Sequence, residues 1–423
     1  MTTQPTLPGV DGGGLPQELL QDAVALLTRF AGTSSPSDDP PALERMSAAL
    51  AGELRARDLA VAIRAEPDEH GVLLPVVEAV GRASGPAEDP RLPILLVGHF
   101  DTVLCAAPPR LEGGRLIATG AIDMKGGIVA FLKALDLVAL RGGRRPALRL
   151  VLVPDEEVGG AISRRAVATA GSAARALWVL EPGEPTAGGE TLVTGRRGMF
   201  HWRLAAHGRT SHSGLAFWQG RSAAVAIAEW IERAAALSRP QGGPTVNVAR
   251  LVAGERSFVD SLAAGARTSL GTAHLRNVVP DHAVAEGEAR FLRAAEAETL
   301  AHQLSALAGA IAARHEVAMD FSREATVAPV DPARSPRAHA DLAVRLAAEA
   351  GWRLEREEDR GGISFPNFLP DPGRIPVLDG LGPVGGGMHT RTEFVEVASL
   401  ARRIRLLADL LQSEASAPVT AGD

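Results

Sequence analysis

The sequence predicts an α/β catalytic domain, built on a mixed and largely parallel sheet flanked by helices, with a smaller α+β domain inserted into it. Three observations carry that prediction. Short apolar runs at residues 92–97, 148–153 and 176–180 are bounded by Pro, Gly or acids, which suits strands buried on both faces. Helical periodicity lies between such runs, the pattern of strands joined by crossover helices in a parallel sheet. From about residue 195 the texture changes to strands with one polar face, alternating with amphipathic helices. At 423 residues the chain also exceeds the size at which one hydrophobic core stops growing.

Taken in order, residues 15–30 and 41–59 have helical periodicity. After the first buried strand, a helix is predicted over 127–140, with Ile128, Phe131, Leu132, Leu135 and Val138 on one stripe. In the insert, strands are expected at 200–206, 245–251 and 284–292, and helices at 221–237 and 295–314. A turn-rich linker at 329–336 leads to helices at 338–350 and 397–411. The catalytic domain would thus comprise 1–194 and 327–423, and the insert 195–326.

Composition narrows the function classes. Hydrophobic residues make up 46% and charged residues 22%, so an ample core can form. The net charge of −6, with arginines scattered among acids, predicts no nucleic-acid partner and no anionic membrane surface. Cys105 is the one cysteine, which excludes an internal disulfide; it is expected to be a small packing residue. The Pro/Gly-rich first fourteen residues read as a loose tail without the features of a signal peptide. No apolar run approaches the roughly 18 residues of a membrane span, so a cytoplasmic location is expected.

The chemistry gathers at strand ends. The first buried strand leads into Gly98-His99-Phe100-Asp101, the second into Asp155-Glu156-Glu157 and the third into Glu181-Pro182. Ligands of open α/β sheets bind outside the carboxyl ends of the strands, so one histidine and several carboxylates reach one crevice. Asp123 joins them from the glycine-rich turn at 120–127. Crowded carboxylates raise one another's pKa, and divalent cations remove that conflict. Carboxylate with imidazole suits zinc, with cobalt and manganese as alternatives; two ions about 3.5–4 Å apart would share one carboxylate. Residues two apart on a strand point the same way, so Asp101 can accept a hydrogen bond from the His99 ring. On an extended backbone, adjacent Glu156 and Glu157 diverge, one toward a metal and the other toward water as a general base. A lone acid here would be a solvated loop residue; the set is not explained that way.

Together, Gly98-His99-Phe100-Asp101-Thr102-Val103, residues 120–127, Asp155-Glu156-Glu157-Val158-Gly159 and Gly387-Met388-His389 with Glu393 resemble the M20 metallopeptidases. That family includes glutamate carboxypeptidase, acetylornithine deacetylase, succinyl-diaminopimelate desuccinylase and aminoacylase. The resemblance implies two zinc ions per subunit, one held by His99, Asp123 and Glu181, the other by Asp123, Glu157 and His389. Asp123 would be the bridge, Glu156 the general base and Asp101 the residue that orients His99. It also implies a cis peptide bond after Asp123. A Glu at 181 resembles the carboxypeptidase and desuccinylase side of the family. The insert then matches a dimerisation or lid domain, and His212 in Ser211-His212-Ser213-Gly214 resembles the histidine that reaches a partner's site. There it would bind the oxyanion, a role worth about 3–4 kcal/mol. Asn277, in Asn277-Val278-Val279-Pro280, and Arg290 match lid residues that touch substrate, with Arg197 a further carboxylate binder.

The pattern is broken where relatives carry a Gly-Gly-Thr-Asp-Ala-like segment and this chain has Gly361-Gly362-Ile363-Ser364-Phe365-Pro366-Asn367. Ser364 and Asn367 are read as turn residues ahead of polar substrate contacts. The Gly385-Gly386-Gly387 run lacks the lysine of a phosphate-binding loop. The function expected is a di-zinc hydrolase that cleaves an amide bond of a small or dipeptide-like substrate with a free carboxylate, working as a homodimer. A hydrolytic deaminase, or another C–N hydrolase acting on an unusual amino acid, is the alternative. A non-catalytic homologue would have lost a ligand or the base, and none is missing.

Overall fold

The structure, a computed structural model, describes residues 14–84, 91–240, 242–263 and 276–417; the opening tail up to residue 13 lies outside the described residues. The chain divides into two compact units. One comprises the residues up to Thr194 with Pro332–Glu358 and Ser364–Asp423, the other Gly195–Asp331 with Asp359–Ile363.

The first unit is centred on a six-stranded sheet. Its strands are β1 (Ala60–Pro67), β2 (Leu73–Gly81), β3 (Ile94–His99), β4 (Leu148–Val153), β5 (Ala176–Val179) and a short edge strand at Val377–Leu378, in the order β1-β2-β4-β3-β5-edge. β4, β3, β5 and the edge strand run parallel, while β1 and β2 form an antiparallel extension. Every residue of β3 and β5 is buried, which is why these strands read as unbroken apolar runs. β3 begins two residues later than the apolar run suggested, so His99 is its last residue. The β1–β2 hairpin was not expected: β1 lies at the edge of the sheet with most of its side chains in solvent, and the helix before it ends at Arg55. That helix, Pro40–Arg55, starts at Asp39, whose carboxylate accepts from the Ala42 N–H at 3.0 Å.

The helix Gly126–Leu140 is buried around its whole circumference, Val129, Ala130 and Ala134 as well as the expected stripe, so it belongs to the core. It packs against Gln17–Gly32 and Val397–Ser416. Cys105 is exposed, contrary to the packing role expected of it, because the chain leaves the core at Val103, itself 47% exposed. Among the described residues no helix is long and apolar enough to cross a membrane.

The second unit is a four-stranded antiparallel sheet of β6 (Gly198–His207), β7 (Thr245–Gly254), β8 (His282–Phe291) and β9 (Ala318–Val327), in the order β7-β8-β6-β9. One face carries Phe200, Trp202, Leu204 and Ala206, packed with Ile227 and Trp230 of the helix Ala223–Ala235 and Leu300 and Leu304 of the helix Ala294–His315. The opposite face stays polar, as the alternation along β6 predicts. β9 was not expected; it is an edge strand that sends only Met319 and Phe321 toward the core.

Candidate metal centre

Parallel pairing brings the reactive groups together. His99 ends β3 opposite Val153 of β4, and Val97 pairs with Val179 of β5, so Asp155-Glu156-Glu157 and Glu181 leave the sheet at the same edge as His99. Asp123 comes from the turn Ala121–Lys125, which opens the helix Gly126–Leu140. The Asp123–Met124 peptide is cis. At Gly127 an added Cβ would lie 1.8 Å from the Leu180 carbonyl oxygen, so only glycine lets the helix meet the chain beside Glu181. His389 projects from the Gly387–Thr390 turn with φ 62°, a left-handed conformation uncommon outside glycine.

The Asp123 carboxylate faces two ways. Its Oδ1 lies 3.0 Å from Nε2 of His99, and its Oδ2 lies 3.2 Å from Nε2 of His389. Glu181 Oε1 stands 3.9 Å from the same nitrogen of His99, and Glu157 Oε2 stands 3.1 Å from that of His389. Ligand atoms of His99, Asp123 and Glu157 lie within 4.8 Å of one another, as do those of His99, Glu156 and Glu181. All five sequence-predicted ligands and the predicted base are therefore neighbours. Imidazole and carboxylate donors in two groups around a shared carboxylate could hold two divalent cations of the zinc, cobalt or manganese kind.

Electrostatics points the same way. Burial raises the Glu157 carboxyl to about 7, and Asp123 adds to the effect. Burial and Asp123 also hold Glu181 well above the usual carboxylate range. Burial favours neutral Asp123, yet hydrogen bonds from His389 and His99 outweigh it and depress its pKa. The hydrogen bond to Asp123 lifts His389 to about 9. Burial opposes a charge on His99, but hydrogen bonds to Asp101 and Asp123 prevail and its pKa sits well above the ordinary value. Divalent ions held there would compete with protons for these groups.

Surrounding groups hold these side chains in place. Asp101, fully buried, has Oδ1 3.2 Å from Nδ1 of His99 and accepts the backbone N–H groups of Glu156 and Glu157. The ring nitrogen also lies 3.1 Å from the Asp101 carbonyl oxygen. Glu156–Val158 is a 3₁₀ turn, not the extended segment expected; successive side chains still diverge on such a turn. Glu393, part of the His389 motif but given no role in the sequence reading, accepts the N–H groups of Gly120, Ile122 and Asp123 at 2.8, 3.0 and 3.2 Å. Lys125, which no sequence signal singled out, is buried and donates to the Phe30 and Thr33 carbonyls at 3.1 and 2.9 Å; burial lowers its pKa to about 7. Ser364 and Asn367 are buried, Asn367 accepting the Ser364 N–H at 3.1 Å, while Phe365 stacks tilted against His99 with ring centroids 6.4 Å apart. Both polar residues are thus turn residues.

Within the second unit, Nδ1 of His212 accepts the N–H groups of Gly214 and Leu215 at 3.1 and 3.2 Å, and its Nε2 lies 3.0 Å from Nδ2 of the Asn277 carboxamide. The arginines expected to bind a carboxylate both face carboxylates of the chain itself. Arg290 pairs with Glu288 at 2.8 Å and donates to the Gly361 carbonyl. Arg197 makes a two-pronged contact with Asp359 at 2.6 and 2.8 Å.

Comparison with known proteins agrees with this geometry. The model of peptidase family M20/M25/M40 matches residues 95–413. Carboxypeptidase G2 of Pseudomonas sp. (strain RS-16) is 27% identical over 332 residues, 75% of this chain and 73% of its own. Succinyl-diaminopimelate desuccinylase of Methylorubrum populi is 30% identical over 346 residues, 75% of this chain and 81% of its own. Aminopeptidase PepT of Bacillus cereus shares the fold, with a TM-score of 0.74 at 19% identity over 93% of this chain and 98% of its own. The chain belongs to peptidase family M20/M25/M40, and it is a metallohydrolase of that family.

Proposed function

We propose that this chain is a di-zinc amidohydrolase, a carboxypeptidase or N-acyl-amino-acid deacylase, acting on small substrates that carry a free carboxylate. The observation that carries the reading is the two-way Asp123 carboxylate, with His99 and Glu181 on one side and His389 and Glu157 on the other. His99, Asp123 and Glu181 would hold one ion, and Asp123, Glu157 and His389 the other. Two such ions supply polarisation of the amide carbonyl and water acidified toward neutrality.

The chain's own residues do the rest. Glu156 takes the proton of the attacking water and returns it to the leaving amine. Asp101 fixes the His99 ring through Nδ1. His212 of a second copy, with its Nδ1 engaged by the Gly214 and Leu215 N–H groups, donates from Nε2 to the oxyanion. Asn277, whose carboxamide lies 3.0 Å from that nitrogen, would contact substrate beside it. Leu215, Phe217 and Trp218, 86, 53 and 87% exposed beside His212, favour a homodimer in which this loop is covered. Arg290 would receive the substrate carboxylate by exchange with Glu288, and Arg197, a further carboxylate binder, by exchange with Asp359. Relatives named as a carboxypeptidase and a desuccinylase support an amide next to a carboxyl group as the target.

Glu156→Gln tests the assignment of the base. Turnover of N-acyl amino acids and dipeptides should fall by about 10²–10⁴-fold with the zinc content of the purified protein unchanged. Wild-type turnover in that variant would remove Glu156 from the mechanism.

A further inference from the structure

We propose that Ser37, which lies outside every motif of the site, is a positioning residue that sets His99 for metal binding by holding Asp101. The proposal rests on His99 being a metal ligand. Residues 33–37 run alongside the end of β3. The Thr102 N–H donates to the Ser35 carbonyl at 2.9 Å, the Ser37 N–H to the Thr102 carbonyl at 3.3 Å, and the Ser35 hydroxyl to the Phe100 carbonyl at 2.6 Å. These bonds fix the Ser37 backbone against the residues that flank Asp101. From there the Ser37 hydroxyl donates to Asp101 Oδ2 at 2.8 Å.

That bond is the shortest the carboxylate receives. Its other contacts are the His99 ring at 3.2 Å and the backbone N–H groups of Glu156 and Glu157 at 3.3 and 3.2 Å. Asp101 is fully buried, so no water can stand in for a lost donor without rearrangement. If the hydroxyl is removed, the carboxylate is free to rotate toward its weaker donors. Rotation changes the angle at which it meets Nδ1 of His99 and leaves the ring held on that side by the Asp101 carbonyl alone. The same carboxylate also holds the backbone of the predicted base and of Glu157, so one hydroxyl steadies both sides of the centre. The Ser37 hydroxyl has no capping duty, since Asp39 caps the following helix. Ser37 itself is only partly buried.

The test uses the full chain and zinc itself. Zinc affinity is measured by competition with a chromogenic chelator for wild type, Ser37→Ala, Ser37→Thr and His99→Ala, alongside kcat, KM and Tm. Ser37→Ala should bind zinc about tenfold more weakly and lose about tenfold in kcat with KM little changed, whereas Ser37→Thr, which keeps the hydroxyl, should stay within about twofold of wild type. Wild-type zinc affinity in Ser37→Ala overturns the proposal. So does equal impairment of the Ala and Thr variants with equally lowered Tm, which would mark a packing role alone. His99→Ala separates the layers: if it retains full zinc affinity, the ligand assignment beneath the proposal is what fails.

Discussion

At the scale of single residues, the centre crowds carboxylates and imidazoles that shift one another's protonation. Burial, with Asp123 adding to it, pushes Glu157 up to about 7, and the hydrogen bond to Asp123 lifts His389 to about 9 against the effect of burial. The sign of the resulting pH dependence follows from linkage. Between the ordinary 4.5 and about 7, the folded chain keeps a proton on Glu157 that the unfolded chain has lost, so stability falls as pH rises through that window. His389 contributes stability that is complete below 6.5 and is lost as pH rises through about 9. The metal-free protein should therefore melt at progressively lower temperature between about pH 5 and pH 9, and the stabilisation gained on adding zinc should grow over the same range. Thermal denaturation of chelated and zinc-loaded protein across that range checks both. A Tm of the metal-free protein that rises with pH would contradict the charge assignment.

At the scale of elements, the site depends on how strand ends and turns are held. Glu393 gathers three N–H groups of the turn that carries Asp123. Glu393→Ala would leave buried donors without partners, and should cost about 2–4 kcal/mol of stability together with a loss of zinc affinity. Calorimetry and zinc titration report the two effects; wild-type values of both would show that the turn holds itself. This partnership spans 270 residues or more, so no local spacing announces it. The pairing of Arg197 with Asp359, 162 residues apart, was hidden for the same reason, and a long-range ion pair looks in sequence like a free arginine. By contrast, the buried strands were legible because a strand covered on both faces must be apolar throughout. The acids were legible because parallel strands end at one edge. β1 and β9 lie at sheet edges, where half-exposed side chains carry no such signature, while β2 is largely buried but has its apolar run interrupted by Pro75.

At the scale of the whole molecule, the reading requires two chains to make one working site, because His212 is assigned to the neighbouring copy. Glu156→Gln and His212→Ala should each be nearly inactive alone. Mixed in equal amounts and allowed to exchange subunits, they should recover about a quarter of wild-type activity, since half the dimers then hold one complete site. No recovery under conditions where differently tagged subunits are shown to exchange would confine His212 to its own chain.

The most direct test of the central claim is the number of zinc ions bound per chain, measured by equilibrium titration of wild type and Asp123→Ala. A shared carboxylate predicts two ions bound by the wild type and weakened binding of both in the variant. Two ions held by Asp123→Ala at wild-type affinity, or a single ion in the wild type, would contradict it.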